Sequence, residues 1–469
     1  MDHFSYRTIE EIREKIRRKE ISPLEILDAH LRRIQITQPR LNPFAHLDVE
    51  NATRQAREAE AAVMRGEHLG PLHGVPVTVK SCMDVTAWPC AAGSLLRKEY
   101  RPCEDAPLVA RLKSAGAVLL GNTNTPENLM AYETNNLLTG RTSNPWDSSR
   151  TSGGSSGGEA AAIASGCSAG GVGSDGGGSV RVPAHFCGIC ALKPTPGRVP
   201  STGHFPPSSG AFPWLGVVGP MARTIADVRT IFEAICGSDS GDSLSAPKSA
   251  KHPAESRLQA TRIGILESSA LGTATPETIA AVDRAASFLA AKNVQVEHRH
   301  LDGLEQAQEL WWFFFGTVVG HLFRRNISKA EEKHLSPMFC EYLQEATPQT
   351  PLTLDNFIFT CSERDLLRAR LIDRMSATPI LLSPVCLAPA FQHGHGTWKP
   401  GTGYRDTMRH AQWINLAGFP AATVPVALTA EGLPIGVQVI GRPYEDELVL
   451  AVAEAIEESR GAWQPPPTV

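Results

Sequence analysis

One lysine and a group of glycine-flanked serines are spaced so that they could act together on an acyl carbon. Two stretches carry the serines: Thr151-Ser152-Gly153-Gly154-Ser155-Ser156-Gly157-Gly158-Glu159 and Gly173-Ser174-Asp175-Gly176-Gly177-Gly178-Ser179-Val180-Arg181. Glycine loses much backbone entropy on folding, so such runs need a reason. A flexible linker is one, but the intervening Ala160-Ala161-Ala162-Ile163-Ala164 and Gly171-Val172-Gly173 are core-like. A phosphate cradle is another, but neither run carries a Walker lysine and no acidic residue is placed for a ribose. The third reading is a catalytic loop. There, consecutive backbone N–H groups converge on a developing oxyanion and a serine at the end supplies a nucleophile.

A serine nucleophile needs a base. His185 and His204 lie in proline-rich contexts that single out neither. Lys80, which ends Val75-Pro76-Val77-Thr78-Val79-Lys80, is the better candidate. Burial at a strand end would drive its pKa toward neutrality and let it take a proton. The competing reading is a solvated strand terminus.

The elements that must position these groups read as an α/β chain. Ile9, Ile12 and Ile16 recur at helical spacing, and Ser22-Pro23-Leu24-Glu25 is a capping box leading into Ile26, Leu27, Leu31 and Ile34. A third helix is expected over about 50–65. Strands are expected over 75–80 and 117–121 around a helix at 108–115, which makes a βαβ unit. Thr125-Pro126-Glu127 is read as opening a helix, and further helices follow at 159–165 and 225–235. Residues 238–255 are low in complexity and read as an exposed loop. A strand at 262–266, variable helices to about 374, and strands at 380–384, 422–426 and 436–441 complete the pattern. The expected architecture is an α/β layered fold with a mixed, twisted sheet covered by helices on both faces.

Composition narrows the class. The chain has 469 residues, 42% hydrophobic and 20% charged, which excludes a disordered or fibrous protein. A net charge of −4 advertises neither nucleic acid nor an anionic membrane as partner. Ten irregularly spaced cysteines do not form a disulfide framework. The opening Met1–Arg7 lacks the apolar stretch of a secretion signal, and there is no run of 18 apolar residues, so a reduced, cytoplasmic, soluble chain is expected.

Motifs in register resemble the amidase signature hydrolases, which use a Ser–cis-Ser–Lys triad. They are Gly74-Val75-Pro76-Val77-Thr78-Val79-Lys80, the two glycine runs, and Phe186-Cys187-Gly188-Ile189-Cys190-Ala191-Leu192-Lys193-Pro194-Thr195. Lys80 and Ser155 lie 75 residues apart, and Ser179 follows Ser155 by 24. The likeness extends to Gly418–Pro425 and Gly432–Gln438 and is weakest over 238–375. It implies one amidase domain over 1–469: N-terminal helices 1–70, a signature core about 71–237, a variable substrate-pocket segment about 238–375, and a sheet-completing part 376–469.

By that resemblance Ser179 is the nucleophile, Ser155 the bridging serine at the cis peptide, and Lys80 the base. The N–H groups of Gly176, Gly177, Gly178 and Ser179 form the oxyanion hole, Ser156, Asp175 and Arg181 support the loop, and Leu129 and Met130 line the acyl channel. Ser174, where the family more often has Thr, and Gly176, where a larger residue is common, are departures expected to loosen the loop. The form of His185–Cys190 and of the Phe205–Trp214 rim suggests a closer tie to fatty acid amide hydrolases and broad bacterial amidases than to transamidating relatives. The implied reaction is hydrolysis of a hydrophobic or aryl amide, with carbamates (urethanes) and esters as further substrates, and no cofactor or metal. The alternative is the A subunit of a glutamyl-tRNA amidotransferase, working on glutamine with partner chains. A degenerate amidase fold acting as a binding module is a third hypothesis, opposed by the intact Lys80, Ser155 and Ser179.

Three other features have plainer readings. Cys187-Gly188-Ile189-Cys190 is a lone CxxC and reads as structural. His393-Gly394-His395 reads as a rim rather than a metal site. Trp311-Trp312-Phe313-Phe314-Phe315 reads as core, with an acyl-pocket wall or a greasy surface for homodimer or membrane contact as the alternative.

Overall fold

Side-chain caps start the N-terminal helices. Thr8 and Ser22 each close a capping box, over Ile9–Arg17 and Pro23–Leu41, and Asp48 caps Val49–Arg65. The computed structural model describes residues 4–207, 210, 212–248, 257–348, 351–401 and 403–467. Its strands are β1 (Phe44–Leu47), β2 (Pro76–Lys80), β3 (Val118–Thr123), β4 (Asn135–Asn136), β5 (Gly140–Arg141), β6 (Gly170–Asp175), β7 (Cys190–Lys193), β8 (Val217–Ala222), β9 (Arg262–Glu267), β10 (Gln295–His300), β11 (Ile380–Pro384), β12 (Ala421–Leu428) and β13 (Pro434–Gly441). Eleven form one sheet in the order β1-β3-β2-β6-β8-β7-β12-β13-β11-β9-β10, and β4 and β5 form a separate ribbon. β2 is parallel to β3 and β6, whereas β6–β8, β7–β12 and β12–β13 are antiparallel, so the sheet is mixed.

Strand alternation sends side chains to two faces. Val77 and Val79 of β2 and Val437 and Val439 of β13 join one apolar core with Ala285 of the helix Pro276–Ala291 and Val452 of the helix Asp446–Arg460. Thr78 and Lys80 face the other way. There Thr78 donates to Glu159 on the helix Gly157–Ala164, and the helix Arg181–Cys187 packs on β12 and β13. Glycines let the first of these helices approach: a Cβ at Gly171 would collide with Glu159 and Thr78, and one at Gly173 would lie 2.7 Å from Ser156 Oγ. The expected mixed α/β architecture is the observed one.

Some expectations do not hold. Thr125-Pro126-Glu127 opens only a 3₁₀ turn, Glu127–Leu129, because Asn128 and Leu129 take left-handed φ of 51° and 69°. Glu127 instead accepts from Ser94 Oγ (2.9 Å) and the Ser336 N–H (2.6 Å). Residues 238–248 of the low-complexity stretch are irregular, as expected, and 249–255 lie outside the described residues. All ten cysteines are free, and Cys187 and Cys190 are buried.

Candidate active site

The three candidate reacting side chains come from different elements on one face of the sheet. Lys80 ends β2, Ser155 lies in the turn before the helix Gly157–Ala164, and Ser179 precedes the helix Arg181–Cys187. Lys80 is wholly buried, which pushes its pKa down from the ordinary lysine value to about 8; Cys82, Asp175 and Glu159 oppose that shift. Its Nζ lies 2.7 Å from Ser155 Oγ, 3.1 Å from Ser174 Oγ and 3.4 Å from the Ser174 carbonyl. The Gly154–Ser155 peptide is cis. Ser155 and Ser179 line the same pocket, but among the described residues the Ser179 hydroxyl has no hydrogen-bond partner. Catalytic hydrogen bonds are often long in unliganded sites and tighten only around substrate.

The glycine loop is held from both sides. Asp175 accepts from the Gly178 N–H (2.6 Å), the Val180 N–H (3.1 Å) and Arg181 Nε (3.1 Å). Burial raises a carboxyl pKa, but the Arg181 guanidinium overrides it and holds Asp175 well below the usual carboxylate range. Arg181 is completed by Gln438 (3.0 Å) and Asn415 (2.5 Å), and Asn415 also donates to the Asp175 carbonyl (2.9 Å). Ser156 Oγ sits 3.3 Å from both N and O of Ser174. Ser156, Asp175 and Arg181 thus all contact the loop from Ser174 to Val180 or one another.

One expectation about the oxyanion hole needs correction. The Gly178 N–H is donated to Asp175, so it is not free to meet an oxyanion. Among the described residues the N–H groups of Gly176, Gly177 and Ser179 have no partner, so these three are the available donors. Nor do the departures at Ser174 and Gly176 leave a loose loop. Trp311 Nε1 donates to the Gly176 carbonyl (3.0 Å), Tyr132 Oη donates to that of Gly177 (2.5 Å), and Phe315 lies over Gly176, 3.3 Å from where a Cβ would stand.

The aromatic run is core and pocket wall at once. Trp311 and Phe314 are buried, Trp311 stacks on Phe315, and Phe315 reaches the pocket beside Leu129 and Met130. A π-helical turn, Phe313–Val318, sets the register that lets it serve both. Nothing in the sequence singles out His204, yet it lines the pocket, and its Nε2 lies 3.5 Å from Cys82 Sγ. His393 instead pairs with Glu133 (3.3 Å), and among the described residues no three His, Cys, Asp or Glu side chains are placed to hold a metal ion.

A buried amine of lowered pKa, two serine hydroxyls lining one pocket and three unpartnered backbone N–H groups are the groups that acyl transfer through a serine requires. The chain belongs to the amidase signature family: the Amidase family profile matches residues 25–450. It is 31% identical over 479 aligned positions to the A subunit of the glutamyl-tRNA(Gln) amidotransferase from Carboxydothermus hydrogenoformans, covering 97% of each chain. The structure of 6-aminohexanoate cyclic dimer hydrolase with its substrate matches at TM-score 0.85 and 26% identity over 99% of each chain. Fatty acid amide hydrolase matches in fold at TM-score 0.88, with 24% identity over 98% of this chain and 86% of that one. The expected closer tie to fatty acid amide hydrolase is not found in sequence, where the amidotransferase chain stands nearer. Among the described residues no helix is long and apolar enough to cross a membrane.

Proposed function

We propose that this chain hydrolyses amides of apolar acyl groups through an acyl-enzyme on Ser179. Neutral Lys80 takes the Ser155 proton while Ser155 takes that of Ser179, and the Ser179 oxygen attacks the acyl carbon. The N–H groups of Gly176, Gly177 and Ser179 face the resulting oxyanion. As the carbon–nitrogen bond breaks, Ser155 returns a proton to the departing amine and recovers one from the Lys80 ammonium. Water then repeats the sequence and releases the acid. Carbamates and esters pass through the same tetrahedral geometry.

The observation that carries the substrate class is the lining of the pocket. Leu129, Met130, Phe212, Val217, Val218 and Phe315 surround the serines, and among the described residues no Lys or Arg lines it. Asp175, its one carboxylate, is spent on Arg181 and the loop. A glutamine substrate, with its α-amino and α-carboxylate groups, would find no cationic anchor there. Identity to an amidotransferase chain favours the second reading, glutaminase action with partner chains.

A series of p-nitroanilides from acetyl to decanoyl, assayed beside glutamine, separates the two. Each buried methylene gives about 0.8 kcal/mol, so kcat/KM should climb roughly three- to fourfold per carbon until the pocket is full. Flat or falling values, with glutamine the better substrate, would contradict the apolar reading.

A further inference from the structure

Lys80 Nζ has three oxygen neighbours: Ser155 Oγ, Ser174 Oγ and the Ser174 carbonyl. Charged, the amine satisfies all three with its three N–H groups. To take the Ser155 proton it must be neutral, with two N–H groups and one lone pair, and the lone pair must face Ser155. Both N–H groups must then go to the two oxygens of Ser174. The carbonyl can only accept, but the hydroxyl can also donate. If the Ser174 O–H turned to Nζ, it would occupy the lone pair that Ser155 needs. Its hydrogen must be drawn elsewhere.

Cys82 Sγ, 3.7 Å from Ser174 Oγ, is the neighbour that can draw it. That works only if the Cys82 S–H points away from Ser174. His204 supplies the reason. Its Nδ1 lies 2.9 Å from the Pro206 carbonyl, which only accepts, so Nδ1 carries the hydrogen and Nε2 of the neutral ring is a bare acceptor. Nε2 faces Cys82 Sγ at 3.5 Å. Backbone bonds fix the pair, from Phe205 N to the Cys82 carbonyl (2.7 Å) and from Asp84 N to that of Gly203 (2.8 Å). Donors and acceptors then run one way: Lys80 N–H to Ser174, Ser174 O–H to Cys82, Cys82 S–H to His204.

We infer that Cys82 and His204 are positioning residues that keep the Ser174 hydroxyl turned away from Lys80 and so aim the Lys80 lone pair at Ser155. This rests on the reading of Lys80 as the base. The charged and titratable groups facing Lys80 are Cys82, Asp175 and Glu159; those facing Cys82 are His204, Lys80 and Cys90. Without the thiol, the Ser174 O–H is free to donate to neutral Lys80. That stabilises the neutral amine but hides its lone pair, so the titration midpoint moves to lower pH while the plateau rate drops.

The test is the pH–rate profile of p-nitroanilide hydrolysis for the full chain and its Cys82→Ala, Cys82→Ser, His204→Phe and Lys80→Ala variants. Losing one hydrogen bond from the chain should lower the plateau kcat of Cys82→Ala about five- to tenfold. KM should stay unchanged and the midpoint should shift to acid. Cys82→Ser, whose hydroxyl can accept from Ser174 and donate to His204, should recover most of the rate and the parental midpoint. Should Cys82→Ala fail to fold, His204→Phe, which keeps the ring beside Phe212, should show the same acid shift. Parental plateau and midpoint in Cys82→Ala, or equal impairment in Cys82→Ser, would overturn the inference if Lys80→Ala is inactive. An active Lys80→Ala would overturn the base reading beneath it.

Discussion

Raising the pH from 7 to 9 should increase kcat/KM about tenfold. Burial sets the Lys80 pKa at about 8, and the amine works as a base only when unprotonated. Its neutral fraction is then roughly 0.09 at pH 7 and roughly 0.91 at pH 9. An ordinary lysine, with a pKa near ~10.4, would be neutral in fewer than about one molecule in a thousand at pH 7, and its rate would still be climbing past pH 10. Activity is therefore lost as pH falls through about 8 and saturates above it. Stability follows the same sign. The unfolded lysine holds its proton up to about 10.4 and the folded one only to about 8, so stability rises with pH between those values. The assay is a p-nitroanilide profile from pH 6 to 10 under kcat/KM conditions. A transition at about 6.5 with no change from 7 to 9 would mark a histidine base and rule out Lys80.

Other perturbations follow from the loop. Asp175→Asn leaves the wholly buried Arg181 without its counter-charge, and thermal unfolding should register a loss of about 3–5 kcal/mol. Gly177→Ala places a Cβ 2.5 Å from Trp311 Cζ2 and 2.7 Å from Tyr132 Oη, which should displace a free N–H donor and slow phosphonylation of Ser179 by a fluorophosphonate, with loss of fluoride, about a hundredfold. Gly176→Ala, whose Cβ would meet Phe315 only at 3.3 Å, should be much milder in the same assay.

What the sequence disclosed is what local chemistry encodes. The Ile9, Ile12 and Ile16 spacing, the capping box at Ser22, the apolar β2 and the glycine runs each carry their own signal. β10 carries none: Gln295–His300 is polar because it is an edge strand largely exposed on both faces. The use of the Gly178 N–H was hidden because an i,i+3 bond to Asp175 depends on the loop's turn, not on residue type. Gly176 looked like a departure because Phe315, which packs over it, is 139 residues away in the chain. His204 looked unremarkable for the same reason, since only folding brings its ring to Cys82, 122 residues distant. Asn415 and Gln438 complete Arg181 from 234 and 257 residues away, and Gln438 was visible only as part of a motif.

The covalent intermediate is the most direct test of the account. Acid-quenching the enzyme during turnover of an octanoyl p-nitrophenyl ester, followed by peptide mapping, should find the octanoyl mass on the peptide bearing Ser179. It should disappear in Ser179→Ala, and Lys80→Ala should accumulate it far more slowly while remaining folded. Acyl mass on Ser155 or a cysteine, or full turnover by Ser179→Ala, would contradict the mechanism.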